Sequence, residues 1–219
     1  MKSVAILGTK GGTTKTASAH LLCLGAYLHG VPACYALTDP GRKVRDEGRP
    51  YAVLDARLPE QLALMLDSSR NTLNGWLIID GGGNRPAFDI EVSKNVDLTI
   101  IPFRPSEEDV DTVAQSLQAI PNALAWPCAW PTNAFAINAA QYLLDGLGTA
   151  FPQQIMTPSI PFVNSISDLL SANLTAPSSP VRTIARRAFD VLVDYYDSHA
   201  TPANRKQLSL KAPEIGSAI

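Results

Sequence analysis

Short, almost unbroken apolar runs alternate along this chain with longer stretches whose apolar residues recur at helical spacing, and this alternation limits the fold more than any other feature. Runs at residues 4–7, 33–37, 76–79, 98–101 and 134–137 predict strands. They are apolar at successive positions, so both faces of the sheet they form must be covered. The segments 16–28, 60–66, 107–120, 139–147 and 181–196 predict the covering helices. Strand, crossover helix and strand repeated in this way give an α/β fold with one doubly wound, mainly parallel sheet. Of 219 residues, 46% are apolar and 17% charged, enough core for one such domain without disulfides or structural metals. Residues 1–199 are assigned to it, and 200–219 to a polar, proline-containing tail. The Pro-rich stretches 121–131 and 177–180 predict loops of the same domain.

Lys and Arg total 18 against 20 Asp and Glu, a formal charge of −2, so nothing draws the whole chain to a polyanion and any nucleic-acid contact has to be a local patch. Cys23, Cys34 and Cys128 are too widely spaced for a CxxC pair or a metal knuckle and read as reduced thiols. The N-terminal segment lacks the apolar stretch of a secretory signal, and no run is long enough to span a bilayer. The expected location is the cytoplasm.

The segment that carries chemistry follows the first predicted strand. Gly8-Thr9-Lys10-Gly11-Gly12-Thr13-Thr14-Lys15-Thr16 leads from a strand end through a glycine turn into a helix, and the alternative is a plain glycine turn with a Thr-capped helix. A loop of this kind aims backbone N–H groups and the positive helix end at one point, where Lys15 adds a charge and the Thr16 hydroxyl can ligate Mg²⁺. Two positions depart from the plain GxxxxGK[ST] pattern: Thr9 replaces the first glycine and Thr14 the one before the lysine. A side chain at Thr14 crowds the phosphates and narrows the backbone choices.

A lysine at the start of the loop, Lys10-Gly11-Gly12 and then Lys15-Thr16, resembles the deviant Walker A motif of the ParA/MinD family. Three further segments fit in order. Tyr35 to Pro40 resembles the strand-end Asp-x-Asp-Pro switch, with Leu37 in place of the first Asp; Trp76 to Asp80 resembles the Walker B strand; Asn95 to Ser106 resembles the strand and loop after it. The resemblance runs over residues 3–195 and is nearest to short plasmid-type ParA proteins. It implies ATP and Mg²⁺ as ligands, with Lys10, Gly11, Gly12, Thr13, Thr14, Lys15, Thr16 and Ala17 around the phosphates and Thr16, Asp39 and Asp80 around the metal. Lys10 would reach across an ATP-bound homodimer, Lys15 would hold the β- and γ-phosphates, and Asp39 would position the attacking water. Asn138, after the predicted strand 134–137, would meet adenine, as would Pro161 and Phe162.

Each of these residues also has an ordinary reading: Asp39-Pro40 as a turn, Asp80 as a helix cap, Phe162 as core. Gly81-Gly82-Gly83 reads as a mobile loop that closes over a phosphate or is merely flexible. Arg182, Arg186 and Arg187 lie on or beside one face of the last predicted helix, with Arg205, Lys206 and Lys211 beyond. The resemblance makes this a surface for non-specific duplex DNA, used by the nucleoid-associated ATP dimer; otherwise it is a solvated face. It further implies slow hydrolysis stimulated by a centromere-binding or adaptor protein, in plasmid or chromosome partition or cargo positioning. The alternatives are a nucleotide-dependent interaction module with little turnover and a metabolic enzyme of related fold, such as an amidoligase-like synthetase. The Trp126 to Trp130 segment is compatible with an exposed partner surface or with a loop folded onto the core.

Overall fold

In the computed structural model, which describes residues 1–12, 14–174 and 176–201, the apolar runs pair side by side. Thr13 and residues 202–219, with Arg205, Lys206 and Lys211, lie outside the described residues. The strands are β1 (Lys2–Ile6), β2 (Ala33–Leu37), β3 (Ala52–Asp55), β4 (Trp76–Asp80), β5 (Leu98–Phe103) and β6 (Ala123–Pro127). They form one sheet in the order β3-β2-β4-β1-β5-β6, with every pairing parallel. The helices are α1 (Lys15–Leu28), α2 (Pro59–Arg70), α3 (Pro86–Ser93), α4 (Glu107–Ala119), α5 (Ala134–Ala150) and α6 (Ser179–His199), with a 3₁₀ helix at Asn164–Leu170.

Successive strand residues go to opposite layers, which explains why the runs are apolar throughout. Trp76 and Ile78 of β4 join α1 and α6 in one core, whereas Leu77 and Ile79 join residues of α2, α3 and α4 in the other. The first layer is held tightly by α1 against α6. A Cβ on Gly25 would lie 2.2 Å from the Ala185 carbonyl oxygen, so only glycine permits this approach. The register then aligns the strand ends that matter: Ile6 and Leu37 both pair with Asp80, at the carboxyl edge where open α/β sheets place ligands.

Two expectations are corrected here. Residues 134–137 are not a strand but the first turn of α5, started by Asn133, whose Oδ1 accepts the Ala136 N–H at 2.8 Å. The sixth strand is β6, inside the stretch expected to be a loop. It lies at the sheet edge, where Pro127 costs no ladder hydrogen bond. Trp126 is 1% exposed and its Nε1–H donates to the Pro158 carbonyl, so the tryptophan segment begins as core and is no partner surface at that residue. Among the described residues no helix is long and apolar enough to cross a membrane.

Candidate functional site

The described residues of the expected phosphate loop lie between the end of β1 and the start of α1. Thr14 caps α1 with φ 68°, a left-handed conformation that costs a non-glycine residue roughly 1–2 kcal/mol. This is where the plain motif has glycine, and Thr14 Oγ1 is buried without a hydrogen-bond partner. Lys15 is also buried; its Nζ donates to the Lys10 carbonyl at 2.7 Å and so spans the loop. Burial pushes its pKa down, while Asp80, Asp89 and Asp39 oppose the shift. The strained cap, the spanning lysine and an orphan hydroxyl together form a cradle shaped for an anion.

A cavity of about 600 Å³ opens over this cradle. Gly11, Gly12, Thr14, Lys15, Thr16 and Ala17 line its floor, and Asp39 its side. Asp39 is held locally: Oδ1 accepts the Gly41 N–H at 2.9 Å and Oδ2 lies 3.4 Å from Arg42 Nε. Asp80 sits behind the floor, 1% exposed, with Oδ2 accepting the Tyr35 hydroxyl at 2.6 Å and Oδ1 buried without a partner. Burial pushes its pKa up, against the pull of the Tyr35 and Thr16 hydroxyls. An orphaned carboxylate oxygen beside a hydroxyl suits Mg²⁺ held through water, with the remaining ligands from nucleotide phosphates. Among the described residues no group of three or more His, Cys, Asp or Glu could hold a metal by itself.

The Gly81 to Gly83 loop is packed rather than open. Gly81 donates to the Ile6 carbonyl at 2.9 Å, Asn84 donates to the Thr9 carbonyl at 2.8 Å, and a Cβ on Gly81 would meet Leu7 Cδ2 at 2.7 Å. Its glycines admit close approach to β1 and the phosphate loop.

At the other end the cavity is lined by Cys128 and Ala129, after β6, and by Ile160, Pro161, Phe162 and Asn164. The Trp130 N–H donates to Ile160 and the Phe162 N–H to Trp130, at 2.9 and 2.8 Å, joining these segments into one wall. Phe162 is 54% exposed and therefore a lining residue, not core. Asn138 is corrected: it lies exposed on α5, outside the cavity lining, because the strand it was expected to follow is helix. The polar residues that do line this end are Asn164 and Ser167, and no strand-end signal marks them.

Lys10 is absent from the cavity lining. Its Nζ lies 2.5 Å from Asp109 Oδ1 and 3.0 Å from Glu108 Oε2, at the N-terminus of α4 in its own chain. Asp109 is fully buried, and its Oδ2 accepts Arg104 Nε at 3.1 Å. Burial pushes Asp109 up, but Lys10 and Arg104 more than reverse this. Arg182, Arg186 and Arg187 are exposed on α6, and among the described residues none of them is in an ion pair.

No family model matches the chain, and no curated protein matches it in sequence. Solved structures do match in fold. Apo McdA from Cyanothece is 15% identical, covers 91% of this chain and 99% of its own, and superposes with a TM-score of 0.63. Cobyrinic acid a,c-diamide synthase from Mycobacterium smegmatis, with bound ADP and magnesium, is 13% identical over 94% and 99%, with a TM-score of 0.61. The pNOB8 ParA bound to nonspecific DNA is 13% identical over 90% and 99%, with a TM-score of 0.60. The structural neighbours thus include McdA, ParA and MinD proteins and a cobyrinic acid a,c-diamide synthase, and this chain shares their α/β fold.

Proposed function

We propose that this chain is a ParA-like ATPase that binds Mg·ATP, dimerises around it and hydrolyses it slowly. The observation that carries the reading is the convergence of the strained phosphate loop, Lys15, Thr16, Asp39 and Asp80 on one sheet edge beside a cavity of about 600 Å³. Bound Mg²⁺ would supply charge neutralisation at the phosphates. The chain's own part is electrostatic and positional: loop N–H groups and Lys15 take up developing charge, while Asp39 orients water in line. Lys10 acts in trans only after leaving Asp109 and Glu108, so dimerisation competes with an ion pair inside the chain.

On this reading the ATP dimer brings two sets of Arg182, Arg186 and Arg187 onto one face, and linked weak sites gain affinity for duplex DNA of any sequence. A centromere-binding or adaptor partner stimulates turnover and release, in DNA partition or in positioning another cargo. The deciding measurement is ATP turnover with and without random-sequence duplex and the protein encoded beside this one. Arg186→Glu with Arg187→Glu should abolish duplex binding at low salt while leaving ATP binding and dimer mass unchanged. Wild-type DNA affinity in that variant moves the surface elsewhere, and ATP-independent binding by the wild type contradicts the dimer switch.

The second reading, a nucleotide-dependent interaction module with little turnover, is favoured by Leu37 at the first switch position and by the parked Lys10. Stoichiometric ATP binding with no turnover under any of these conditions selects it.

A further inference from the structure

Next to the nucleotide cavity, and sharing Thr16, Arg42 and Leu170 with it, lies a second cavity of about 360 Å³. One side is α1 and β2, through His20 and Tyr35; the other is the segment after β2, which contributes Arg42, Lys43, Arg45 and Arg49. No carboxylate is among its lining residues. Asp39 faces Arg42, but among the described residues no acid pairs with Lys43, Arg45 or Arg49.

Arg45 and Arg49 are held in place without being neutralised. Arg45 Nη1 donates to the Leu170 carbonyl, while Arg49 donates from Nε to the Arg45 carbonyl at 2.7 Å and from Nη2 to those of Leu169 and Ser171 at 3.0 and 3.1 Å. Carbonyl partners orient a guanidinium but leave its charge, and Arg49 Nη1 is buried with no partner. Like charges around one concavity repel unless an anion enters. His20, stacked on Tyr35 with ring centroids 4.0 Å apart, adds no charge: burial, with Arg49 and Arg42 near, pushes its pKa down to about 3.

We propose that this cavity is a second anion site, separate from the phosphate loop, that takes a small phosphate-bearing molecule. Its volume is at the lower end of ligand pockets, and guanidinium forks fit phosphate oxygens. The cations line a hollow rather than a ridge, which suits a small molecule better than a duplex backbone. Arg42 joins the two sites, so an anion that draws on Arg42 loosens its pair with Asp39. This coupling rests on the reading of Asp39 given above; the site itself does not.

Inorganic phosphate, titrated by calorimetry into the nucleotide-free full chain, is expected to show two binding events. Lys15→Ala removes one. Lys43→Gln combined with Arg45→Gln weakens the other at least tenfold and leaves the Lys15-dependent event within twofold, which also reports that the variant is folded. Filling the nucleotide cavity with Mg·AMP-PNP leaves the second event in place. A single event that disappears in Lys15→Ala overturns the site, as does a second event indifferent to the double substitution. If AMP-PNP does not bind, the ATPase reading fails while the nucleotide-free titration still decides this one. Short duplex DNA at the same phosphate concentration should not displace the second phosphate; displacement assigns the cations to a nucleic-acid backbone and overturns the small-molecule class. Saturating phosphate should change wild-type ATP turnover at least twofold, with that response lost in the double variant. An equal response in both breaks the coupling.

Discussion

The two ends of the cavity proposed to hold nucleotide are built in opposite ways. The end proposed for phosphates is lined by Gly11, Gly12, Thr14, Lys15, Thr16 and Ala17 from around the start of α1, together with Asp39, two residues past β2, and offers backbone dipoles and charge. The opposite wall is assembled from the end of β6 and the 160–164 segment, with no charged side chain among Cys128, Ala129, Ile160, Pro161, Phe162 and Asn164. Charge recognition can be encoded within a single turn of chain, because N–H groups and a lysine converge locally. A slot for a flat base needs surfaces that meet only after folding.

The largest expected effect tests the phosphate end. Asp39→Ala should retain ATP binding and accumulate an ATP-bound dimer, with turnover reduced roughly 10²–10⁴-fold, the range for a positioned acid–base residue. A steady-state rate within about twofold of wild type, a barrier change of only ~0.4 kcal/mol, removes Asp39 from that role.

A pH experiment probes the same end without nucleotide. Burial pushes the Asp89 carboxyl up to about 6, above its usual value, with the Gly8 N–H, Lys15 and Arg85 restraining the rise. An acid whose pKa is raised on folding contributes stability that is full below its unfolded value near 3.8 and is lost as pH rises through about 6. Asp89→Asn should therefore match wild type near pH 4 and be more stable above pH 7, by about 3 kcal/mol from the shift. Urea unfolding across that range checks it, and a difference independent of pH would show that Asp89 is not the titrating group.

Lys15→Ala should weaken ATP binding by roughly 10- to 100-fold, from ~1.5–3 kcal/mol for a charge-assisted contact. Calorimetry measures this, and equal affinity removes the phosphate-loop assignment. The smallest effect belongs to the other end: Phe162→Ala should cost about 2- to 10-fold, from ~0.5–1.5 kcal/mol of aromatic contact. Asn138→Ala should stay within twofold of wild type. If Asn138→Ala weakens ATP binding more than Phe162→Ala does, the base does not lie where this contrast puts it.

The same contrast explains what could be read in advance. Lys15, Thr16 and Asp80 stood out in the sequence because Asp80 ends a buried strand and Lys15 and Thr16 begin the helix after one, where a polar residue interrupts a strong apolar pattern; Asp39, two residues past β2, stood out only through the motif resemblance. Residues 134–137 misled because a four-residue apolar run has no period of its own; Asn133, which caps α5, was the signal that decides it. β6 was hidden by Pro127 at its end and by Pro121 and Pro131 on either side, although an edge strand tolerates a proline. β3 and α3 also escaped notice. β3 is short, half-exposed and at the other edge, and α3 is eight residues opened by Pro86. The parking of Lys10 on Asp109 joins positions 99 residues apart, and no local pattern announces such a contact.

The register of β4 has a further consequence. Because Trp76, Leu77, Ile78 and Ile79 are apolar on both faces, a slip of one residue against β1 and β2 would still bury four apolar side chains, two in each layer. Asp80 would then turn away from Tyr35 and Thr16. A single-codon insertion or deletion next to this strand would also move Trp76 out of its edge-to-face packing against Phe189 and Tyr196, so displacement of the carboxylate and a lowered melting temperature should appear together. The tryptophan that opens β4 thus guards the register on which the carboxylate at its other end depends.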